Sequence, residues 1–419
     1  MEREEKRLYG IMEMLLAGFF IAGVASQGPA GVWAGLIEIQ LHPARLLNDF
    51  TLIGGEGAAL VNAAFIAALG LLLVRVSKVR LSGPTVSAVF TIFGFGLFGK
   101  TFFNVLPIVA GVAISARIAG KSFGEYILMA LFGTTLGPLI TALAFETGFP
   151  MVPALLLSVA GGVAVGILLP PVAMVMLRMH QGFSLYNIGL TGGFIGVFGA
   201  SLLVASGKSL PSVLIWNTGP SLLFVYLIPV VSTVLIFTGL ISKPVRYLKD
   251  FAAIMRMSGR LPSDFMSTQS IRGSLCNMGV VGLLTWGYVL LVGGDFNGPV
   301  LGGIFTAIGF GAFGKHPKNG WPVMLGVVAA CLIFGKDLAA PGPILAALFS
   351  LTLAPLAGEF GWIIGIIAGF LHLVMVERTG AWHLGVNLYN NGFAGGLTAT
   401  LIVSVIEWYR STHETAARR

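Results

Sequence analysis

Charged side chains are scarce in this sequence. Asp, Glu, Lys and Arg make up 10% of its 419 residues, whereas a soluble globular protein carries about 25%. So few charges cannot solvate the surface of a chain this long, which excludes an ordinary soluble protein. Hydrophobic residues make up 56%, and apolar runs of about 20 residues, long enough to cross a bilayer, recur throughout. The sequence therefore predicts an all-α integral membrane protein.

Cysteine is nearly absent as well. Cys276 and Cys331 lie in apolar stretches without the spacing of metal ligands, so both are interpreted as small core residues and no disulfide framework is expected. The sequence also lacks a nucleophile elbow, a P-loop, a zincin motif and a recognisable ATP-binding domain. We therefore expect no enzyme and no cofactor. Any active transport would be secondary or would depend on another chain.

Ten apolar segments are predicted to cross the membrane. The first is interpreted as a retained helix, because no small-residue cleavage site follows it as in a signal peptide. The predicted spans are residues 9–26, 57–76, 124–144, 150–177, 186–206, 220–241, 273–293, 338–357, 361–377 and 387–408. Two further apolar segments, 84–119 and 299–335, have a different pattern.

The distribution of Lys and Arg along the sequence predicts the orientation of the chain in the membrane, because cytoplasmic loops carry an excess of them. With the N-terminus in the cytoplasm, 18 of the 25 lie on the cytoplasmic side, Arg418 and Arg419 among them, and 4 lie outside. The four are Arg45, Lys208, Lys336 and Arg378. Both termini are then cytoplasmic, in the cell membrane. The net charge of +8 follows this bias, so we expect lipid as a partner and no nucleic acid.

The sequence contains an internal repeat. Residues 90–112 (FTIFGFGLFGKTFFNVLPIVAGV) and 305–327 (FTAIGFGAFGKHPKNGWPVMLGV) align without a gap and are identical at 12 of 23 positions. Further matches follow in the same order, ALFGTTLGPL at 130–139 with ALFSLTLAPL at 347–356, and Leu-Tyr-Asn at 185–187 and 388–390. Such an ordered series indicates duplication.

The second repeat is predicted to be inverted. Five spans separate the start of one repeat near residue 57 from the start of the next near residue 273, and an odd number of crossings reverses the direction. Inverted repeats are characteristic of transporters and channels, with the site near the midplane between the halves. The predicted organisation is an N-terminal helix and outer loop at 1–56, repeat 1 at 57–242, a basic cytoplasmic linker at 243–272, repeat 2 at 273–409 and a cytoplasmic tail at 410–419.

Segments 84–119 and 299–335 each consist of two apolar arms around a short polar centre. Each arm of about 15 residues is short for a full span. One interpretation is a pair of re-entrant hairpins, one from each face of the membrane, that meet near its middle. The alternative is that each segment forms two short full spans whose lysine lies in an ordinary loop and snorkels to the surface.

The centres of these segments carry the first candidate site residues, Lys100 with Asn104 and Lys315 with Asn319. A cation at membrane depth costs at least about 2.5 kcal/mol, so it usually has a function or a partner. Two such lysines without acids nearby in the sequence favour an anionic ligand, with help from the N-termini of broken helices.

The duplicated Leu-Tyr-Asn element supplies further candidates, Tyr186 and Asn187 with Tyr389 and Asn390. Their uncharged donors and acceptors suit a polar solute or the neutral part of an anion. The alternative is an interfacial tyrosine followed by an asparagine cap at the start of a helix. Asn62 and Asn277 are a last pair at membrane depth, and polar contacts between helices are their alternative role.

Titratable residues that are interpreted as having no equivalent in the other half are weaker candidates. They are Glu13, Glu56, Glu146, Glu359, Glu377, His372 and His383. His372, Glu377 and His383 suggest a proton relay or a metal site. However, His372 and Glu377 are not at the spacing that places two residues on one helix face, and no metal is expected.

The Leu-Tyr-Asn elements resemble those of the urea transporter family, which has two inverted halves, each with a Gly-Leu-Tyr-Gly-Phe-Asn element. Ser184–Gly189 and Asn387–Gly392 are similar to this element, and Leu106-Pro107 and Trp321-Pro322 to the family's Leu-Pro element. The Gly-Phe between Tyr and Asn and the Thr-x-Pro-Phe after Leu-Pro are missing. The resemblance implies a channel-like path in each protomer and a homo-oligomer. The whole pattern is more similar to bacterial and archaeal multi-pass families described as domains of unknown function.

Three functions remain open at this stage. The first is a transporter or channel for a small polar solute, with an anion as one such solute, that passes between two inverted repeats. The second is a passive, urea-like channel for a small neutral solute, in which the lysines are peripheral. The third is a membrane-embedded enzyme or lipid-binding scaffold, which would need Glu359, His372 and Glu377 to converge.

Overall fold

The computed structural model describes residues 2–211 and 213–417. The named secondary-structure elements in this part of the chain are all helices. The predicted cytoplasmic residues Arg418 and Arg419 lie outside this described part. The α-helices are α1 (Glu2–Leu41), α2 (Phe50–Ile53), α3 (Glu56–Val76), α4 (Gly83–Gly96), α5 (Phe102–Ile118), α6 (Ile127–Gly133), α7 (Gly137–Phe145), α8 (Met151–His180), α9 (Asn187–Ala205), α10 (Leu222–Leu240), α11 (Pro244–Ile254), α12 (Phe265–Thr268), α13 (Ile271–Leu291), α14 (Gly298–Phe310), α15 (Pro317–Ile333), α16 (Pro341–Ser350), α17 (Ala354–Phe360), α18 (Trp362–Trp382) and α19 (Asn390–Ala417).

Ten helices in the described residues are long and apolar enough to cross a membrane, and each predicted span overlaps one of them. Six of these spans are α1, α3, α8, α9, α10 and α13, and two more are α18 and α19. The remaining two are composite, because α6 and α7 are joined by the 3-10 turn Thr134–Leu136, and α16 and α17 by Leu351–Leu353. This confirms the prediction of an all-helical chain and indicates a multi-pass membrane protein.

The first helix is longer than predicted. The prediction of 9–26 ended it where a long apolar run meets Gly28 and Pro29, but α1 continues to Leu41 after a kink at Gly28. Gly28 has φ 72° and ψ 156°, which lies outside the helical region, and Pro29 suits the first turn of a new helical segment. The segment between α1 and α3 is correspondingly shorter than the predicted outer loop.

Segments 84–119 and 299–335 each form two short helices around a turn. At 1.5 Å per residue, α4 and α14 are only about 20 Å long. Every residue of α14, and all of α4 except the half-buried Pro84, is buried. The two helices pack on each other so closely that a Cβ on Gly94 would lie 2.7 Å from the backbone oxygen of Gly302. They form the centre of the molecule, away from its lipid-facing surface.

The helices of the two halves pack in equivalent pairs. Helix α3 contacts α1 and α4, as α13 contacts α10 and α14. Helix α5 packs on α8 as α15 packs on α18, and α9 and α19 contact each other across the molecule. Helix α10 therefore has the same place beside α13 that α1 has beside α3.

The predicted basic linker, residues 243–272, has structure of its own. It contains α11 and α12, which pack on α13, and α12 also contacts α4. Arg260 donates a hydrogen bond to the backbone oxygen of Gln181 at 2.9 Å, and its guanidinium lies 4.2 Å from the ring centre of Phe183. The segment therefore binds both halves of the molecule together.

Candidate functional site

Lys100 and Lys315 occupy equivalent turns at the inner ends of α4 and α14. The backbone N–H of Lys100 donates to the carbonyl of Phe95 at 2.9 Å, and that of Lys315 donates to Phe310 at 3.1 Å. Gly99 and Gly314, one residue earlier, have φ of 141° and 92°, where a side chain would be strained. Each glycine thus permits the sharp turn that brings its lysine into the core.

Asn62 and Asn277 hold these turns in place. The Asn62 amide donates to the carbonyls of Gly96 at 2.7 Å and Lys100 at 2.9 Å. The Asn277 amide donates to those of Gly311 at 2.6 Å and Lys315 at 2.8 Å. These amide groups are occupied by backbone oxygens that a broken helix leaves free. Both residues support the site and do not line it.

Asn104 and Asn319 begin the outgoing helices. Asn104 forms a capping box with Thr101, and Asn319 forms one with His316. Their amides also donate to the carbonyls of Gly99 at 3.0 Å and Gly314 at 2.9 Å. The structure therefore gives both asparagines a role in shaping the lysine turns.

Each lysine reaches across to a tyrosine of the other half. The Lys100 ammonium donates to the Tyr389 hydroxyl at 2.6 Å, and the Lys315 ammonium donates to the Tyr186 hydroxyl. The nitrogens lie 4.7 Å and 4.4 Å from the same ring centres, in the range of cation–π contacts. Both lysines are fully buried, and neither forms a salt bridge with any described residue.

The two tyrosines are positioned by threonines in the breaks of the composite spans. Tyr389 donates its backbone N–H to the Thr135 hydroxyl at 2.9 Å, and Tyr186 donates to the Thr352 hydroxyl at 3.0 Å. The preceding leucines donate to the carbonyls of the same threonines at 2.9 and 3.0 Å. Because Thr135 lies in the first half and Thr352 in the second, these contacts also cross between the halves.

Asn187 and Asn390 start α9 and α19 and are held by buried histidines. The Asn187 carbonyl lies 3.0 Å from the His180 ring nitrogen, and Asn390 lies 3.0 Å from His383. The Asn187 amide donates to Ala173, as the Asn390 amide does to Val376, both at 3.1 Å. The interpretation of His383 as unduplicated was wrong, because His180 makes the same contact at the equivalent position of the first half.

The N-termini of α9 and α19 meet at two glycines. A Cβ on Gly189 would lie 2.7 Å from the Cα of Gly392, and one on Gly392 would lie 2.9 Å from that of Gly189. Only glycine allows this approach. No side-chain hydrogen bond caps the start of α9, all of which is described, so the partial positive charge of its dipole lies at its first residues, next to the backbone of Tyr186.

A cavity of about 530 Å³ leads to the tyrosines. At one end it is lined by the exposed side chains of Arg178 and Pro262, and at the other by the buried rings of Tyr186 and Tyr389. Phenyl rings and aliphatic side chains form most of its wall. The aromatic lining residues are Phe95, Phe132, Tyr186, Phe310, Phe313, Phe349 and Tyr389. Its described lining contains no acidic residue.

Asp49 and Asp264 connect each half to the buried helix of the other. Asp49 accepts a hydrogen bond from the N–H of Gly298 at 3.3 Å, and Asp264 accepts one from Gly83 at 3.1 Å. Both acids belong to an Arg-Leu-x-x-Asp-Phe sequence, at 45–50 and 260–265. Burial raises the pKa of the Asp49 carboxyl from 3.8 to about 6, although hydrogen bonds from Thr51 and others oppose the shift.

On the face that contains Asp49, buried side chains form contacts between neighbouring segments. The Arg45 guanidinium forms a salt bridge with Glu146 at 3.1 Å and donates to the carbonyl of Pro211. The Trp216 indole donates to Asp295 at 2.7 Å. On the opposite face, the leucine of the second Arg-Leu-x-x-Asp-Phe sequence, Leu261, lines the open end of the cavity. The two halves are thus similar in contacts, and the cavity opens beside the second Arg-Leu-x-x-Asp-Phe sequence.

The titratable residues interpreted as unduplicated do not come together. Glu359 is exposed, His372 bonds to Asn391 at 3.0 Å, and Glu377 pairs with Lys336 at 2.8 Å. Glu13 pairs with Arg75, Glu146 pairs with Arg45, and Glu56 lies in the first turn of α3. Within the described residues, no group of three His, Cys, Asp or Glu side chains could hold a metal ion.

Sequence reasoning missed Asp49, Asp264, Thr135, Thr352 and His180. Each of them has an equivalent in the other half, and both threonines lie in a repeated segment that was recognised. The signal was present in the two Arg-Leu-x-x-Asp-Phe sequences, which align in the same register as Lys100 and Lys315. It was overlooked because isolated polar residues in loops are usually solvated.

The chain matches the family described as "Protein of unknown function (DUF1576)" over residues 29–205 and 243–408. It belongs to this family. The match includes every residue of the lysine turns and both Tyr-Asn elements, so the site described above lies within the family's shared part. No curated protein and no solved structure matches the chain. The resemblance to the urea transporter family is not shown by any of these comparisons.

Proposed function

We propose that the protein is a membrane transporter or channel that carries a small anionic solute between two inverted repeats. The observation that carries the proposal is the pair of crossed contacts, Lys100 with Tyr389 and Lys315 with Tyr186. Buried cations without an acidic partner are costly and are usually retained for function. Here they lie where the two halves meet, which is where inverted-repeat transporters bind their solutes.

The short buried helices support the interpretation of segments 84–119 and 299–335 as re-entrant hairpins. Non-helical backbone at membrane depth is tolerated only inside protein or beside a water-filled cavity. The turns at Lys100 and Lys315 are buried, and α4 and α14 are surrounded by other helices. A loop lysine that snorkels to the surface would be exposed, whereas both lysines are fully buried.

In the proposed orientation, with both termini in the cytoplasm, the cavity opens to the cytoplasm. Arg178, Gln181 and Pro262 then lie on the inner face, and Arg45, Asp49 and Trp216 on the closed outer face. An opening on one side only, between halves that make equivalent contacts, favours an alternating-access carrier over a continuously open channel. The outward-open state would exchange the roles of the Leu46 and Leu261 segments.

Two alternatives remain as competing proposals. A passive channel for a neutral solute such as urea would not use the charge of the lysines. The buried Lys–Tyr contacts therefore argue against this function. An enzyme or lipid-binding scaffold is disfavoured because Glu359, His372 and Glu377 have separate surroundings. A homo-oligomer remains an expectation from the family resemblance alone.

The test is solute flux into vesicles of phosphatidylethanolamine and phosphatidylglycerol that contain the purified protein. The probes are radiolabelled acetate, benzoate and urea, at a membrane potential set by potassium and valinomycin. We expect lysine-dependent flux of an anion, lowered roughly tenfold or more by Lys100→Met and by Lys315→Met. Lys318→Met, an exposed lysine near the same turn, is the control and should not change flux.

Two outcomes would contradict the proposal. If urea alone crosses and its rate does not depend on potential, the protein is a neutral-solute channel. If an anion crosses equally well in both lysine variants, the Lys–Tyr contacts are not part of the path.

A further inference from the structure

The cavity has a chemical character that narrows the class of solute. Its volume of about 530 Å³ lies in the range of sites for drug-sized ligands and is far larger than acetate, chloride or urea requires. Rings and aliphatic chains form its wall, so a small hydrated anion would lose its water there without replacement. An organic molecule with an apolar body would instead fill the space and bury that body.

The inner end of the cavity offers hydrogen-bond donors backed by positive charge. Because each lysine ammonium donates to a tyrosine oxygen, the O–H of that tyrosine remains available to donate to a ligand. A donor polarised by a buried cation in low dielectric is suited to a negative acceptor. The first residues of the uncapped helix α9, Asn187, Ile188 and Gly189, also line the cavity, and they add partial positive charge to its wall.

The open end of the cavity favours the same sign of charge. Arg178 lines it and is exposed, and the described lining contains no Asp or Glu. A cationic ligand would therefore meet only positive charge and would find no partner at the inner end. The wall is aromatic around the tyrosines, where Phe95 and Phe349 lie 4.5 Å and 6.4 Å from Tyr389 and Tyr186, measured between ring centres.

We infer that the solute is an organic monoanion with an aromatic body, an aryl-substituted carboxylate. Its carboxylate accepts hydrogen bonds from the hydroxyls of Tyr186 and Tyr389, and its ring lies among Phe95, Phe310 and Phe349. Binding is non-covalent, and the lysines act through the tyrosines as positioning residues. This inference rests on the proposed function, since it names the substrate class of the same site.

The experiment measures binding to the full-length protein in detergent by isothermal titration calorimetry. The probes are phenylpropionate, its neutral amide phenylpropanamide, the cation phenethylamine, acetate and octanoate. We expect phenylpropionate to bind roughly tenfold or more tightly than each of the others. Equal binding of the amide would overturn the anion assignment, equal binding of acetate would overturn the apolar body, and equal binding of octanoate would overturn the aromatic body.

Substitutions in the cavity wall test whether phenylpropionate binds at the two tyrosines. Tyr186→Phe and Tyr389→Phe keep the rings and should each weaken phenylpropionate binding roughly tenfold. Tyr226→Phe, on an exposed tyrosine of α10, is the matched control. Phe349→Ala should weaken phenylpropionate more than acetate. Unchanged affinity in the Tyr186, Tyr389 and Phe349 variants would place the ligand elsewhere and overturn the inference.

Flux measurements distinguish a failure of the inferred solute class from a failure of the proposed transport function, on which the inference rests. Lysine-dependent flux of acetate without binding of phenylpropionate would leave the transport proposal standing and overturn the solute class. Site-dependent binding of phenylpropionate without flux of phenylpropionate itself or of the other probes would support the ligand assignment and contradict transport.

Discussion

The ammonium of Lys100 lies 2.6 Å from the hydroxyl of Tyr389, a residue 289 positions later in the chain. The ammonium of Lys315, in the second half, makes the same contact with the hydroxyl of Tyr186, in the first half. Neither contact can form unless the two halves are assembled face to face. The site is therefore a property of the interface between the halves, and neither half can supply it alone.

Replacing a buried lysine should separate stability from transport. Lys315→Met removes a buried cation whose presence at membrane depth costs about 2.5 kcal/mol or more, so the apparent melting temperature should stay the same or rise. Flux should nevertheless fall roughly tenfold or more. The measurements are thermal unfolding in detergent and flux in vesicles, with Lys318→Met as the control. A large fall in melting temperature would instead make Lys315 a structural residue.

The contact between Gly189 and Gly392 should not tolerate a methyl group. Gly189→Ala forces the starts of α9 and α19 apart, and overpacking of this kind typically costs about 1–3 kcal/mol. We expect a lower melting temperature and reduced flux. Gly287→Ala is the control, because no described atom outside its own stretch of helix lies within 4 Å of its added Cβ and alanine favours a helix. Equal behaviour of the two variants would contradict the close approach.

The Asp49 carboxyl should lower stability as the pH rises. Its pKa is about 6 in the folded protein and 3.8 ordinarily, so between these values the folded state binds more protons than the unfolded state. The contribution of Asp49 to the free energy of unfolding therefore falls by roughly 3 kcal/mol at most between about pH 4 and about pH 6. Above that range it stays constant. The melting temperature of the natural protein, relative to Asp49→Asn, should fall over that range. A constant or rising difference would contradict the shift.

Removing the threonine hydroxyls should misplace the tyrosines. Thr352→Val keeps the shape of the side chain but leaves the N–H of Tyr186 and the Ser184 hydroxyl without their partner. An unsatisfied buried donor costs about 1–3 kcal/mol, and flux should fall with little change in the amount of folded protein. Thr400→Val is the control, because the Thr400 hydroxyl bonds to the carbonyl of Gly396 within its own helix and to no other group in the described part of the chain. Unchanged flux in Thr352→Val would contradict the positioning role.

The spans could be predicted because hydrophobic length alone determines which helices cross a membrane. The lysines, tyrosines and asparagines could be found because a duplicated polar residue in an apolar sequence is conspicuous. Their separate roles could not be predicted. Asn62, Asn104, Asn277 and Asn319 resemble ligand-binding residues in sequence, but the structure uses their amides to satisfy backbone carbonyls that broken helices leave free.

The pairing of each lysine with a tyrosine of the other half also could not be predicted from the sequence. Matches between the two repeats indicate which residues are equivalent, but not that Lys100 contacts Tyr389 instead of Tyr186. That choice depends on how α4 and α14 pack, which is determined by shape complementarity around Gly94 and Gly302. The kink at Gly28 was missed for a similar reason, since Gly-Pro is equally typical of a helix end and of a bend within a longer helix.

The most direct test of the account is sided labelling of single cysteines at Thr91 and Thr306. These equivalent residues line the cavity, and the change keeps both Lys–Tyr contacts. The background lacks Cys276 and Cys331, and a cysteine at Ser232, which is buried away from the cavity, is the control. Both sites should react faster with a small impermeant thiol reagent from the cytoplasmic side than from the outer side, and phenylpropionate should protect them. Faster reaction from the outer side, or no reaction from either side, would contradict a cytoplasmic path to the Lys–Tyr pairs.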